Sequence, residues 1–324
     1  MGEIGLSMNQ QILVTGGCGF IGANLVRALI NEGYGVRVLD NLSVGKPNAV
    51  EGMACELVIG DIRNNDILDA TTQGIAAVVH LAAKPGVIDS INDPRTDFQV
   101  NAEGTLAVLQ ACVKNQVPSF VFASTGAVLG EAQLPLNELQ TPKPLSPYGA
   151  SKLAGEAYCS AFYGSFGLKT VALRFSNVYG PFSGHKKSAV AEFIRRAHQK
   201  MPLSIFGDGN QTRDFIFVGD LVDAIVAALR TEGVGGEVFQ IASGQPTSVN
   251  ELVRLLGDAV GWPLEVEHKP GQRGEVRFSY ANIDKAKQRL GYEPRVGLAD
   301  GLHATYKWFV ANWHDLPKVM SSND

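Results

Sequence analysis

Tyr148 and Lys152 stand four residues apart in the run Tyr-Gly-Ala-Ser-Lys. A proline just before them, after Ser146, predicts a helix start, so both side chains share one helical face. A phenol titrates near ~10 and exchanges protons poorly at neutral pH unless its anion is favoured. A lysine cation one turn further on favours that anion. Taken alone, the spacing also suits a surface tyrosine and a snorkelling lysine. Ser124 and Thr125 strengthen the chemical reading. They end a predicted strand (Ser119 to Ser124) at the edge where open parallel sheets bind ligands. A hydroxyl there can hold the oxygen that Tyr148 protonates and deprotonates, although a lone Ser-Thr pair would also cap a turn. Thr125, Tyr148 and Lys152 are the catalytic candidates, and Ser124 lies beside them on the substrate side.

The elements that must position this group begin at residue 11. Gln11-Ile-Leu-Val-Thr-Gly-Gly-Cys-Gly-Phe-Ile-Gly22 reads as a strand, a glycine turn and the start of a helix. Gly16 allows the tight turn, Gly19 lets backbone approach a diphosphate, and Gly22 lets the helix pack on the strand. A diphosphate would sit at the helix N-terminus, where free amides and the macrodipole favour negative charge. A second strand, Val36 to Leu39, ends in Asp40, about twenty residues further on. A carboxylate there accepts hydrogen bonds from a ribose diol and repels a 2′-phosphate. The unit predicts a dinucleotide cofactor, NAD in preference to NADP. Its positive nicotinamide ring would add to Lys152 in favouring the Tyr148 phenolate.

Strand-like and helix-like segments alternate up to Phe175, which predicts a parallel sheet covered on both faces. Further strands are expected at Leu57 to Ile59, Ala76 to Leu81 and Thr170 to Phe175, and helices at 64–72, 94–115 and 147–166. From Ser176 prolines and glycines become denser. Four helical segments (189–199, 249–260, 282–290 and 298–312) and short strands suggest a smaller second domain. Residues 214–242 read as a strand, helix and strand that return to the main sheet. The expected division is a Rossmann domain over 8–175, joined by 214–242, and a substrate domain over 176–213 and 243–324. The fold class is therefore α/β, a doubly wound parallel sheet with a smaller, mostly C-terminal α/β domain.

A chain of 324 residues, 45% hydrophobic and 19% charged with formal net charge −4, is long enough for both units. Its mild acidity points away from nucleic acid and from an anionic membrane surface. Cys18, Cys55, Cys112 and Cys159 are widely spaced, with no pair at metal-ligand spacing, so they read as reduced thiols and no metal is expected. Residues 1–9 lack the pattern of a signal peptide and read as a short leader, with Met8 a candidate start. No apolar stretch reaches spanning length. A cytoplasmic location is the expectation.

With these residues in place the chain resembles the extended short-chain dehydrogenase/reductase family, in its sugar-nucleotide epimerase and dehydratase branch. The likeness runs from about Gln11 to Trp308. Thr15-Gly-Gly-Cys-Gly-Phe-Ile-Gly22 is similar to the family's cofactor loop, which implicates Phe20 and Ile21 beside the glycines. Asp40-Asn41-Leu42-Ser43 resembles its ribose turn, with Asn41 and Ser43 as contacts, and Gly60-Asp61-Ile62 its adenine segment. Leu81-Ala82-Ala83-Lys84 resembles the loop under the nicotinamide ribose, with Lys84 also reaching the substrate, and Asn101 a recurring polar position on the next helix. The resemblance further implies a UDP-sugar substrate. Asn177 would face its diphosphate, Ser204, Phe206 and Arg213 its uridine and phosphates, Arg273 a phosphate, and Ser279 the sugar. It also implies a homodimer paired through the helices that begin at Pro94 and Pro147.

Two departures narrow the activity. Gly126 and Ala127 stand where the family's 4,6-dehydratases carry an Asp-Glu pair and its decarboxylases a Glu, and Leu129 replaces a usual tyrosine. Water elimination needs an acid and a base beside the catalytic hydroxyl, which glycine and alanine cannot supply. The reading is a UDP-sugar 4-epimerase, with UDP-N-acetylglucosamine and UDP-N-acetylgalactosamine as the expected pair and UDP-glucose and UDP-galactose beside them. Ser279, aligned to the pocket wall, leaves room for an acetamido group, whereas a register slip would put Tyr280 there. The second departure is Arg273, one position late in its motif. A UDP-uronate 4-epimerase, a net oxidoreductase and a non-catalytic binding protein stay open as alternatives.

Overall fold

The computed structural model describes residues 10–271 and 277–317. Among the described residues there are twelve strands: β1 (Gln11–Thr15), β2 (Gly35–Asp40), β3 (Cys55–Ile59), β4 (Ala77–His80), β5 (Ser119–Thr125), β6 (Lys169–Phe175), β7 (Asn177–Tyr179), β8 (Leu203–Phe206), β9 (Thr212–Phe217), β10 (Glu237–Ile241), β11 (Pro246–Ser248) and β12 (Val266–Lys269). Seven of them form a parallel sheet in the order β10-β6-β5-β4-β1-β2-β3. The chain runs outward from β1 through β2 to β3, then returns to lay β4 on the other side of β1. That reversal opens a crevice between the C-terminal ends of β1 and β4, where ligands of such sheets bind.

Side-chain alternation builds the sheet's two faces. Ile12 and Val14 join one apolar cluster with Leu25, Val38 and Phe239. Leu13 points the other way and packs with Leu39, Leu109, Phe120 and Phe122. Both faces are apolar because helices cover both, as a parallel sheet requires. A third cluster, with Phe193, Ile194, Leu203, Ile205, Leu252, Leu302 and Phe309, is the core of the smaller lobe.

Two expected elements differ. The helix foreseen over 94–115 is present, but its turn Gln99–Glu103 is a π-turn between Pro94–Phe98 and Gly104–Lys114. Such a turn carries an extra residue and commonly marks a functional region. The strand expected to return to the main sheet from residue 214 does not. β9 pairs with β7 and β11 in a three-stranded sheet, and only β10 joins the main one, beside β6. Alternation shows that a segment is a strand, but not which partner its backbone finds.

His80 ties β1, β4 and the π-turn helix together. It is fully buried, with Nδ1 2.7 Å from Thr15 Oγ1 and Nε2 3.0 Å from Thr105 Oγ1. The Thr105 hydroxyl donates to the Asn101 carbonyl at 2.6 Å, so it accepts from Nε2. Nδ1 therefore accepts from Thr15, whose oxygen in turn accepts from the Ala82 amide at 3.3 Å. Burial first, and then the Lys152 cation, push this imidazole down to about 3.

Its depressed value makes stability depend on pH. Unfolded, the imidazole takes a proton near ~6.5, which the folded site refuses. The contribution is complete above that value and is lost as pH falls toward about 3. At pH 5 the loss should be about 2 kcal/mol. Urea denaturation at pH 7 and pH 5 checks this: His80→Asn should show a smaller drop than the parent protein, and equal drops would refute it.

Candidate active site

The glycine turn closes over the crevice with no room to spare. Gly16 has φ +72°, and a Cβ there would lie 2.7 Å from the Ala82 amide. A Cβ on Gly22 would lie 2.3 Å from the Gly16 carbonyl. The helix that follows, Phe20–Asn31, begins at Gly19 with no side-chain cap and no acidic residue in its first turn. By contrast, helices 65–72, 94–98, 147–166 and 249–260 are each capped by a side-chain oxygen. Free amides on a dipole's positive end, backed by glycine, suit a diphosphate. Asp40 accepts from the Cys18 amide at 2.9 Å and the Leu42 amide at 2.8 Å, which joins the glycine turn to the ribose turn.

The cavity at this turn is lined by Gly16, Gly19, Phe20, Ile21, Gly22, Asp40, Asn41, Ser43, Asp61, Ile62, Leu81, Ala82 and Ala83. It also takes in Ser124, Tyr148 and Lys152. Sixteen residues expected from the sequence, spread over five strand ends and one helix, thus meet on one wall. A dinucleotide fits this donor set: amides for the diphosphate, a carboxylate for a ribose, and an apolar floor.

Helix Pro147–Phe166 brings the tyrosine to that wall. Ser146 Oγ caps it by accepting from the Gly149 amide at 3.1 Å. Gly149 and Gly155 allow the close approach, because a Cβ would meet the Ala127 carbonyl at 2.6 Å and the Phe122 ring at 2.4 Å. The Thr125 side chain lies close enough to Tyr148 to favour its phenolate. Lys152 is buried, with Nζ donating to the Ala123 carbonyl at 2.8 Å and lying 4.8 Å from the centre of the Phe122 ring.

The electrostatics of the cofactor-free site set the starting point for this pair. Burial pushes the Tyr148 phenol up to about 12, Asp97 pushes the same way, and Thr125 opposes them. Lys152 is brought down to about 8 by burial, while Asp97, Cys159 and Glu156 hold it up. Without cofactor, burial dominates and the phenol stays protonated at neutral pH. Charge arriving with the cofactor must supply the rest.

Several expected contacts have other partners. The Ser124 hydroxyl donates to Glu156 at 2.5 Å, and Glu156 is held from the far side by a forked Arg174 at 2.8 and 2.7 Å. Asn101 does not reach the cavity wall. It receives the Lys84 amide at 2.8 Å and donates to the Lys84 carbonyl at 3.0 Å, setting the loop after β4. The Lys84 ammonium pairs with Asp93 at 3.1 Å. The residues expected on the substrate side lie on the smaller lobe: Asn177 on β7, Ser204 and Phe206 on β8, Arg213 on β9. The Thr212 carbonyl accepts both from Arg213 Nη1 at 2.9 Å and from the Ser279 amide at 3.2 Å. Arg273 lies outside the described residues. His185 and Lys186 also line the cavity. The sequence signal for them is the basic run His185-Lys-Lys187 shortly after Gly180-Pro181.

A doubly wound sheet, an uncapped helix at its switch point and a tyrosine–lysine pair at the adjoining strand end define a dinucleotide-dependent α/β enzyme of the short-chain dehydrogenase/reductase type. More particularly, the chain belongs to the NAD-dependent epimerase/dehydratase family, whose model matches residues 12–242. Its cofactor is NAD. It is 37% identical to the UDP-glucose 4-epimerase of Thermotoga maritima, solved with UDP-glucose, with TM-score 0.90 over 94% of this chain and 100% of that one. The UDP-N-acetylglucosamine 4-epimerase of Methanobrevibacter ruminantium, in complex with UDP-N-acetylmuramic acid, is 30% identical with TM-score 0.90, covering 94% and 100%. The UDP-glucuronic acid 4-epimerase of Bacillus cereus, solved with UDP-glucuronic acid and NAD, is 34% identical with TM-score 0.87, covering 93% and 99%.

The Tyr148 reading has a direct spectroscopic consequence. In NAD-free protein, the ultraviolet difference between the parent and Tyr148→Phe should show a phenol titrating well above pH 10, and NAD should move that titration downward. A phenol near pH 7 without NAD would contradict the geometry.

Proposed function

We propose that this chain interconverts UDP-sugars epimeric at C4, with UDP-N-acetylglucosamine and UDP-N-acetylgalactosamine as its preferred pair and the plain hexoses also accepted. The nearness of Thr125 to Tyr148, which with Lys152 lines the cavity at the glycine turn, supports this reading. NAD, held by the glycine turn and Asp40, would supply reversible hydride transfer at C4 with no net consumption of cofactor. Tyr148 removes the proton of the C4 hydroxyl and later gives it back, while Thr125 holds the phenol and Lys152 adds positive charge. Nothing beyond this proton carrier is needed, provided the keto sugar turns over between the two transfers.

The surroundings support epimerisation over elimination. A short 3-10 turn, Gly126–Val128, follows Thr125, and its Gly126 and Ala127 offer no acid or base. The Asp97 carboxylate, though coupled to Tyr148, is 1% exposed and off the cavity wall. For the sugar itself, the support is the small side chain of Ser279. Its backbone is stitched to Thr212, and that of Tyr280 to Leu136, at 3.2 and 2.9 Å. A larger side chain in the space an acetamido group would occupy costs about 1–3 kcal/mol.

Incubation with UDP-N-acetylglucosamine, UDP-glucose and UDP-glucuronate, with products separated by chromatography, tests this reading. Conversion of the first should be at least as efficient as that of the second. Ser279→Tyr should suppress the N-acetyl sugars by about tenfold or more while sparing the hexoses. Tyr148→Phe should abolish turnover yet keep NAD and UDP-sugar bound. Selective conversion of the uronate would instead favour the second reading.

We also infer a homodimer. Ile88, Ile91, Phe98 and Tyr158 are exposed apolar or aromatic side chains on helices Val87–Asn92, Pro94–Phe98 and Pro147–Phe166, which pack together. Such a patch marks an interface. Light scattering should give twice the 34.6 kDa chain mass, and Phe98→Glu should halve the result. A monomeric parent protein would overturn the inference.

A further inference from the structure

Residues 180–188 form a loop that leaves β7 and comes back over the mouth of the glycine turn. Within it, Ser183 Oγ donates to the Gly180 carbonyl at 2.6 Å, and the Lys186 amide to the Ser183 carbonyl at 2.9 Å. The buried guanidinium of Arg195 supports it from the smaller lobe, donating to the carbonyls of Gly184 at 2.6 Å and Lys186 at 2.8 Å. On the opposite side the Asn24 amide bridges the carbonyls of Phe20 and Pro181, at 2.9 and 3.0 Å. The loop is thus fastened to the very helix whose N-terminus is uncapped.

This anchoring decides where Lys186 stands. Its ammonium lies 4.9 Å from the centre of the Phe20 ring and 3.3 Å from the Val178 carbonyl. Phe20 is the first residue of the uncapped helix, and Lys186 lines the same cavity as Gly19 and Gly22. Lys186 is half-buried, yet among the described residues no carboxylate pairs with it. The charges felt at neighbouring His185 are also positive, from Lys186, Lys46 and Arg195, and they add to burial in pushing that imidazole down. Arg195 has Glu192 as its counter-charge at 2.8 Å, whereas the half-buried Lys186 ammonium has none among the described residues, which is costly unless an anion completes it.

We propose that Lys186 binds the diphosphate of the dinucleotide, so that a loop of the smaller lobe holds the cofactor from the side opposite the glycine turn. The amides of the uncapped helix and the ammonium then face one anion from two directions, and the ammonium adds a charge-assisted hydrogen bond. The reading rests on the NAD cofactor and is independent of which sugar is turned over. The substrate's own diphosphate has the same chemistry and is the competing source.

Equilibrium dialysis of NAD and, separately, of UDP against purified parent protein, Lys186→Met and Lys186→Arg separates these cases. Lys186→Met should weaken NAD by about 10- to 100-fold at low salt, as expected for loss of a charged hydrogen bond. The deficit should shrink at high salt, Lys186→Arg should recover most of it, and UDP affinity should stay within about twofold. Unchanged NAD affinity would overturn the proposal. So would a loss confined to UDP, or an NAD loss that neither salt nor arginine alters, which would mark mere damage to the loop.

Discussion

Because β1 and β4 are neighbours in the sheet but their ends, Thr15 and His80, lie 65 residues apart along the chain, the crevice between them depends on contacts that no local preference can make. The neutral imidazole of His80 makes them. It accepts from Thr15 and donates to Thr105, each hydroxyl having a further backbone partner. Each hydroxyl and ring nitrogen of this Thr15–His80–Thr105 relay has its partner, which is what allows so polar a connection beneath an apolar sheet edge. The π-turn at Gln99–Glu103 belongs to the same construction, since it presents both the Asn101 carbonyl to Thr105 and the Asn101 side chain to the Lys84 backbone.

The reactive group inherits its properties from this frame. Helix Pro147–Phe166 can approach β5 only through Gly149 and Gly155, and that closeness buries Lys152 and brings Tyr148 to Thr125. Burial then works against the chemistry, raising the phenol and lowering the ammonium. A site so arranged keeps its tyrosine protonated until positive charge arrives with the cofactor. Behind it, the Ser124–Glu156–Arg174 chain fixes the end of β5 from the side away from the ligand. Both partners of that ion pair are buried, so removal of either would strand a charge, a change that commonly costs about 3–5 kcal/mol.

Much of this was legible in the sequence, for definite reasons. The glycine turn, Asp40 and the Tyr148–Lys152 spacing are local patterns, and strand alternation and helix period reveal the elements that carry them. Hence the doubly wound sheet, the three glycines, Asp40, Ser124, Tyr148 and Lys152 follow from residue order, whereas Phe20, Ile21, Asn41, Ser43, Asp61, Ile62 and Leu81 to Ala83 came with the family resemblance. The N-terminal glycine turn and β4 loop meet because parallel strands with short connections have few ways to pair.

The tertiary structure decided what depends on partners distant in the chain. It sent β9 to the small sheet while β10 joined the large one, since backbone hydrogen-bonding capacity is the same in every strand. It gave the Ser124 hydroxyl to Glu156 and the Asn101 side chain to the Lys84 backbone, because a polar group takes whichever partner packing brings within reach. It buried Tyr148 beside Asp97, and burial and carboxylate both raise the phenol in the cofactor-free site, a cost that spacing to Lys152 does not reveal. The sequence by itself determined which residues could do chemistry, and packing determined which of their charges and donors remain available to do it.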